Sequence, residues 1–112
     1  MAAVLSYAIR FVANMDESVA FHVERLGLKL RFKSPEWSEL DTGTTTLALH
    51  LASPDHPAGT GQLGFRVENI DVFHRQLVAA GIHVNAPPTP LHGQRIAKYK
   101  DPEGVEFSVS GV

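Results

Sequence analysis

The feature that most constrains this chain is a repeat. Val12-Ala13-Asn14-Met15-Asp16 recurs as Val67-Glu68-Asn69-Ile70-Asp71, an offset of 67 − 12 = 55 in 112 residues. An offset near half the length means two copies of one supersecondary unit, and that should be read before any single motif. Two copies are too few for a solenoid. They have to bury their sheet faces against each other or against a partner chain.

Each copy has the same internal order. Leu5 to Ala13 reads as a strand, and Asn14 is a good N-cap with Glu17 three residues on, a capping box. Met15, Val19, Val23 and Leu26 then recur at helical spacing until Gly27 stops them. Strands are expected over Leu28 to Lys33, Trp37 to Asp41 and Thr45 to Ala52, with turn signals at Ser34-Pro35 and Thr42-Gly43. Ser53 to Gly61 has two prolines, two glycines and no periodicity, and reads as a linker. The second copy runs from a strand at Gln62 to Val67 through the cap Asn69. A stripe of Ile70, Phe73, Leu77 and Ala80 follows, and Gly81 ends it. A short strand at Ile82 to Asn85 is expected next, then a proline-stiffened loop from Ala86 to Pro90. Ile96 to Lys100, a turn at Asp101-Pro102-Glu103-Gly104, and Val105 to Ser110 complete it. The expectation is one domain over residues 1–112, with modules at 3–52 and 62–112 joined by a linker at 53–61.

Composition narrows the partners. A net charge of -2 without any long run of Lys or Arg gives no footprint for nucleic acid or an anionic membrane. The longest apolar runs are strand-sized, far below the roughly 20 residues of a membrane span. The absence of cysteine removes disulfides and thiolate metal sites and fits a reducing compartment. With no basic region ahead of an apolar run at the start, the cytoplasm is the expected location.

Several motifs, in order, resemble the vicinal-oxygen-chelate (glyoxalase/bleomycin-resistance/dioxygenase) superfamily. They are the strand-to-helix junction with Met15, Ser18 and Phe21, then Leu26-Gly27-Leu28, Thr45-Thr46-Leu47-Ala48-Leu49-His50, Gln62-Leu63-Gly64-Phe65 and Asp101-Pro102-Glu103-Gly104. The resemblance implies an α+β fold of two βαβββ modules forming a curved mixed sheet, a partial barrel, around a cleft. It also implies four cleft-facing strand positions that hold a divalent ion in metal-dependent members. The first-strand slots fall on Tyr7 and Gln62, separated by the repeat offset of 62 − 7 = 55, and the last-strand slots on His50 and Ser108.

Those four residues offer one phenol, one amide, one imidazole and one hydroxyl. A divalent ion held by nitrogen and oxygen wants imidazole and carboxylate. Tyr7 has to lose a proton of pKa about 10 to bind well. No cofactor is therefore expected. Were a metal present, its ligands are expected to be His50, Gln62, Tyr7 and Glu106, the last sharing strand parity with Ser108 and reaching the slot through a small register change.

The cleft lining is read as Tyr7, Phe11, Trp37, His50, Gln62 and Ser108. Alternation over Thr46 to Ala52 puts Thr46, Ala48 and His50 on one face and three leucines on the other. Trp37 offers a stacking surface, and Glu39, of the same parity, a partner for a cationic group. His22 reads as a packing residue, and His74 and His83 as surface groups. Thr89 to Gly93, with His92, is either a cleft lid or an ordinary connection. Arg10 breaks the apolar alternation of the first strand, and no role is read for it beyond a place at a dimer edge. No nucleophile set and no glycine-rich phosphate loop is readable.

The expected function is small-molecule binding of the glyoxalase/bleomycin-resistance type, with the ligand held without a catalytic metal, as in antibiotic sequestration. The alternatives are a divalent-metal-dependent lyase, isomerase or dioxygenase of the same superfamily, and a structural or regulatory protein with a vestigial cleft. A homodimer is expected from family habit and from open sheet edges.

Overall fold

Both helices begin where the repeat places them. The structure, a computed structural model, describes residues 2–112. Its elements are β1 (Val4–Val12), α1 (Met15–Glu24), β2 (Lys29–Phe32), β3 (Trp37–Asp41), β4 (Thr46–Leu51), β5 (Gly61–Arg66), α2 (Ile70–Ala79), β6 (Val84–Leu91), β7 (Gln94–Lys100) and β8 (Glu106–Gly111). The Asn14 carboxamide accepts from the Glu17 backbone N–H at 3.0 Å, and Asn69 accepts from that of Val72 at 3.1 Å. Each thereby satisfies one of the donors that a helix start leaves orphaned. At the end of α2, Gly81 sits at φ +79°, and the N–H groups of Gly81 and Ile82 donate to Val78 and Leu77. That pair of bonds is a Schellman closure, which favours glycine because its backbone turns left-handed without a Cβ penalty.

The chain divides into two compact units, one of residues 6–62 and one of residues 63–112 with the N-terminal residues up to Leu5. The first is a mixed sheet in the order β2-β3-β4-β1. β1 pairs in parallel with β4, and the other ladders are antiparallel. One sheet face carries Leu40, Leu49 and Val12, which close on Met15 and Val19 of α1 to make a core. The second unit repeats the plan in the order β5-β8-β7-β6, with β5 parallel to β8. Its core joins Ala97, Tyr99 and Val109 of the sheet to Ile70 of α2, with Phe65, Phe73, Leu77 and Phe107 packed around them. The fold is α+β and contains two βαβββ modules.

The proline-rich stretch departs from expectation. Ala86 to Pro90 is not a loop: β6 runs through it from Val84 to Leu91, so the short strand expected to end at Asn85 continues. Proline removes a ladder donor, which an edge strand tolerates. β6 is the last strand in its order, and register shifts between Val84 and Ala86 and between Ala86 and Thr89 absorb the missing bonds. Thr89 to Gly93 belong to this strand and its turn. Leu91 pairs with Gln94, leaving a two-residue hairpin in which His92 (φ 49°) and Gly93 (φ 80°) are both left-handed, the geometry that matches strand twist.

Arg10 has a partner within its own unit. Its guanidinium donates to the Gly59 carbonyl at 2.5 Å, while Phe11 exchanges backbone bonds with Gly59 and Thr60. The segment expected as a linker is thus tied along β1. Among the described residues, no helix is long and apolar enough to cross a membrane.

Candidate functional site

The face of the first sheet turned away from α1 collects the chemistry of that unit. Alternation along β1, β3 and β4 brings Tyr7, Ile9 and Phe11, Trp37, Glu39 and Asp41, and Thr46, Ala48 and His50 to it. The Trp37 ring lies 5.9 Å from Tyr7 and 5.7 Å from His50, edge-on to the latter. Its indole N–H donates to Glu39 Oε2 at 2.9 Å, which fixes the ring's rotation. Arg31 balances the acids: it lies 3.7 Å from Glu39 and 3.6 Å from Asp41, and donates to Thr46 Oγ1 at 3.0 Å.

His50 has a defined proton arrangement. Its Nδ1 is 2.8 Å from the Leu51 carbonyl oxygen, which can only accept. The neutral ring therefore carries its proton on Nδ1 and presents a lone pair at Nε2. Phe11 is 3% exposed, so it is a floor rather than a lining. It lies 5.2 Å from the His50 ring and is stacked at 4.5 Å and 19° on His56. Sequence reasoning left His56 in the linker, and no local signal places it: the bonds from residues 59 and 60 to Phe11 carry it there. Arg31 was missed as well: it stands at the register shift between Leu30 and Phe32, which plain alternation does not anticipate.

Gln62 is 8% exposed. Ser108 and Glu106 lie in the second unit, on the face of β8 opposite its core, and Glu106 accepts from the Asn85 amide at 2.9 Å. Of the other histidines, His22 is half-buried, with Nδ1 2.7 Å from the Ser18 carbonyl, as a packing residue should be. His74 is not a free surface group: its Nδ1 is 2.8 Å from the hydroxyl of the fully buried Tyr99. A shallow depression of about 500 Å³ borders Leu91, His92, Arg95 and Val112, but its one cation, Arg95, is held by Asp71.

The ladders also correct the slot equivalence drawn from the letters. Ile9 pairs with Ala48 and Gly64 with Ser108, and 64 − 9 = 55. By the repeat, the counterpart of Ser108 is therefore Ala48. His50 pairs with Phe11, and Arg66 (66 − 11 = 55) pairs with Ser110, so His50 answers to Ser110. Tyr7 faces Thr46, four residues short of His50, which separates the two by about 13 Å along the strand direction. Trp37 is in ring contact with both. Among the described residues, no group of three His, Asp or Glu side chains has metal-binding geometry. A phenol, an amide and a single imidazole are a poor donor set for a divalent ion, which favours imidazole together with carboxylate.

A family model described as the Glyoxalase/Bleomycin resistance protein/Dioxygenase superfamily matches residues 4–109. The chain belongs to that superfamily. Among solved structures, this superfamily member is similar to a hypothetical protein from Bacillus halodurans C-125, at a TM-score of 0.86 and 18% identity over 100% of this chain and 96% of that one. It is also similar to methylmalonyl-CoA epimerase from Mycobacterium tuberculosis, at 0.75 and 18% identity over 96% and 87%. A glyoxalase/bleomycin resistance protein/dioxygenase superfamily member from Vibrio splendidus 12B01 aligns at 0.69 and 14% identity over 98% of each chain. Identities this low establish the shared fold alone. Curated protein sequences give no significant match.

Proposed function

We propose that this superfamily member binds a planar small molecule at the Trp37–His50 end of the first sheet's face turned away from α1, without a catalytic metal. The observation that carries this reading is the Trp37 indole, set between Tyr7 and His50 and held in rotation by Glu39. A ring fixed before the ligand arrives loses little freedom on binding, and a flat apolar surface with a few placed polar groups is what ligand sites consist of. The His50 Nε2 lone pair accepts a hydrogen bond from a ligand donor, and sequestration of an antibiotic is one biological use of such a face. Its acids are already opposed by Arg31, so stacking rather than ion pairing supplies the affinity.

Trp37 is the sole tryptophan, so intrinsic fluorescence reports on this face alone. Titration with planar aromatic compounds should quench it saturably and raise the thermal midpoint with concentration. Stoichiometric uptake of Ni²⁺, Mn²⁺ or Zn²⁺ that is lost in His50→Ala would instead establish the metal-dependent alternative. We also propose a homodimer, which a monomer mass by light scattering would remove.

A further inference from the structure

The repeat makes one position of each module comparable, and there the two carry opposite charge. In the first unit the row across the open face is Ile9, Ala48, Glu39; in the second it is Gly64, Ser108, Lys98. Glu39 is engaged by the Trp37 indole and by Arg31. Lys98, half-buried, has no ion pair or side-chain hydrogen bond among the described residues.

The surroundings of Lys98 are those of an anion site. Ser108 stands directly across from it, and Gly64, itself buried, lies across from Ser108. The three backbones are separated by about 5 Å per step. Arg66, two residues from Gly64 on the same face, adds a second cation. Among the described residues of the β5, β7 and β8 strands on this face the carboxylate is Glu106, which accepts from Asn85 and stands opposite Lys100. Neither Lys98 nor Arg66 forms an ion pair among the described residues.

We propose that the face of the second sheet turned away from α2 binds an anionic group, a carboxylate or a phosphate, through the Lys98 ammonium and the Ser108 hydroxyl, with Arg66 beside them. This goes beyond the aromatic face of the first unit and does not depend on it. A charge-assisted pair formed on a half-buried surface is stronger than one in open water.

The test is titration of the full-length chain with inorganic phosphate and, separately, with acetate at low ionic strength, followed by backbone amide shifts. Saturable shifts centred on Gly64, Lys98 and Ser108 are expected. Lys98→Met should weaken the apparent Kd about tenfold, the lower end for a hydrogen bond to a charged group, and Lys98→Arg should restore most of it. Tighter phosphate than acetate assigns the phosphate class, and the reverse assigns the carboxylate. Trp37→Ala, which removes the stacking surface, should leave both titrations unchanged, so failure of that reading does not touch this one. Absence of saturable shifts with either anion would overturn the proposal, as would equal binding by the Lys98→Met chain. If that variant does not fold, Ser108→Ala in its place should weaken both anions, and no change there is equally fatal.

Discussion

Gly111, near the C-terminus, is the residue whose replacement should cost most for the smallest chemical change. A Cβ there would sit 2.9 Å from the Val67 carbonyl oxygen, 3.1 Å from the Ile70 Cβ and 3.2 Å from a Val67 methyl. The closest atom is backbone and the next belongs to a fully buried side chain, so neither can swing away. The end of β8 must move by several tenths of an ångström, straining the adjacent 2.9 Å bond from the Val67 N–H to the Ser110 carbonyl. Overpacking of this kind costs about 1–3 kcal/mol. With an unfolding entropy of about 2.1 cal/mol/K per residue, that corresponds to a Tm lowered by roughly 4–13 °C for a chain of 112 residues. Gly104→Ala is the control: its φ is +78°, but nothing lies within 4 Å of the added carbon, so only the left-handed penalty of about 1–2 kcal/mol applies. Calorimetry on both variants checks the reasoning. A Gly111→Ala chain that melts within a degree of the parent would refute the close approach of β8 to the start of α2.

Three further outcomes follow from particular contacts. Asn69→Ala removes the cap on the Val72 N–H and should lower urea-denaturation stability by about 1 kcal/mol, as Asn14→Ala should in the first unit. The bidentate hydrogen bonds from Arg95 hold the Asp71 carboxyl below its ordinary value of 3.8. Its small stabilisation is present above that value and is lost as pH falls through the depressed one. Arg95→Met should return the carboxyl titration, followed by NMR, to the ordinary range. Burial lifts the Tyr99 phenol above 10.0, so the unfolded chain loses that proton first and stability falls as pH rises past 10. Tyr99→Phe should flatten the alkaline limb of a thermal-midpoint profile, and an unchanged limb would place the loss elsewhere.

What was legible in the letters was local. Asn14 and Asn69 cap helices because a short carboxamide reaches an N–H three residues on, and Gly81 ends one because only a few residues bear a left-handed φ. The face carrying Trp37 and His50 was readable from alternation, since successive strand residues point to opposite sides. Pro87, Pro88 and Pro90 misled for the complementary reason. Proline forbids a central strand, but whether a strand is central depends on neighbours far away in sequence.

The sequence by itself determined the duplication, the strand-helix-strand order, the caps and the membership of each sheet face. Those follow from interactions spanning a few residues and from a repeat whose period is countable. Tertiary structure alone decided the pairing across strands: Tyr7 with Thr46, His50 with Phe11, Gly64 with Ser108 and Ser108 with Lys98. Register is set by how the leucine and valine faces seat on their helices and by bulges along the ladder, and these couple residues dozens of positions apart. That register turned Phe11 into a floor, carried His56 onto it, and left Lys98 with its charge unanswered.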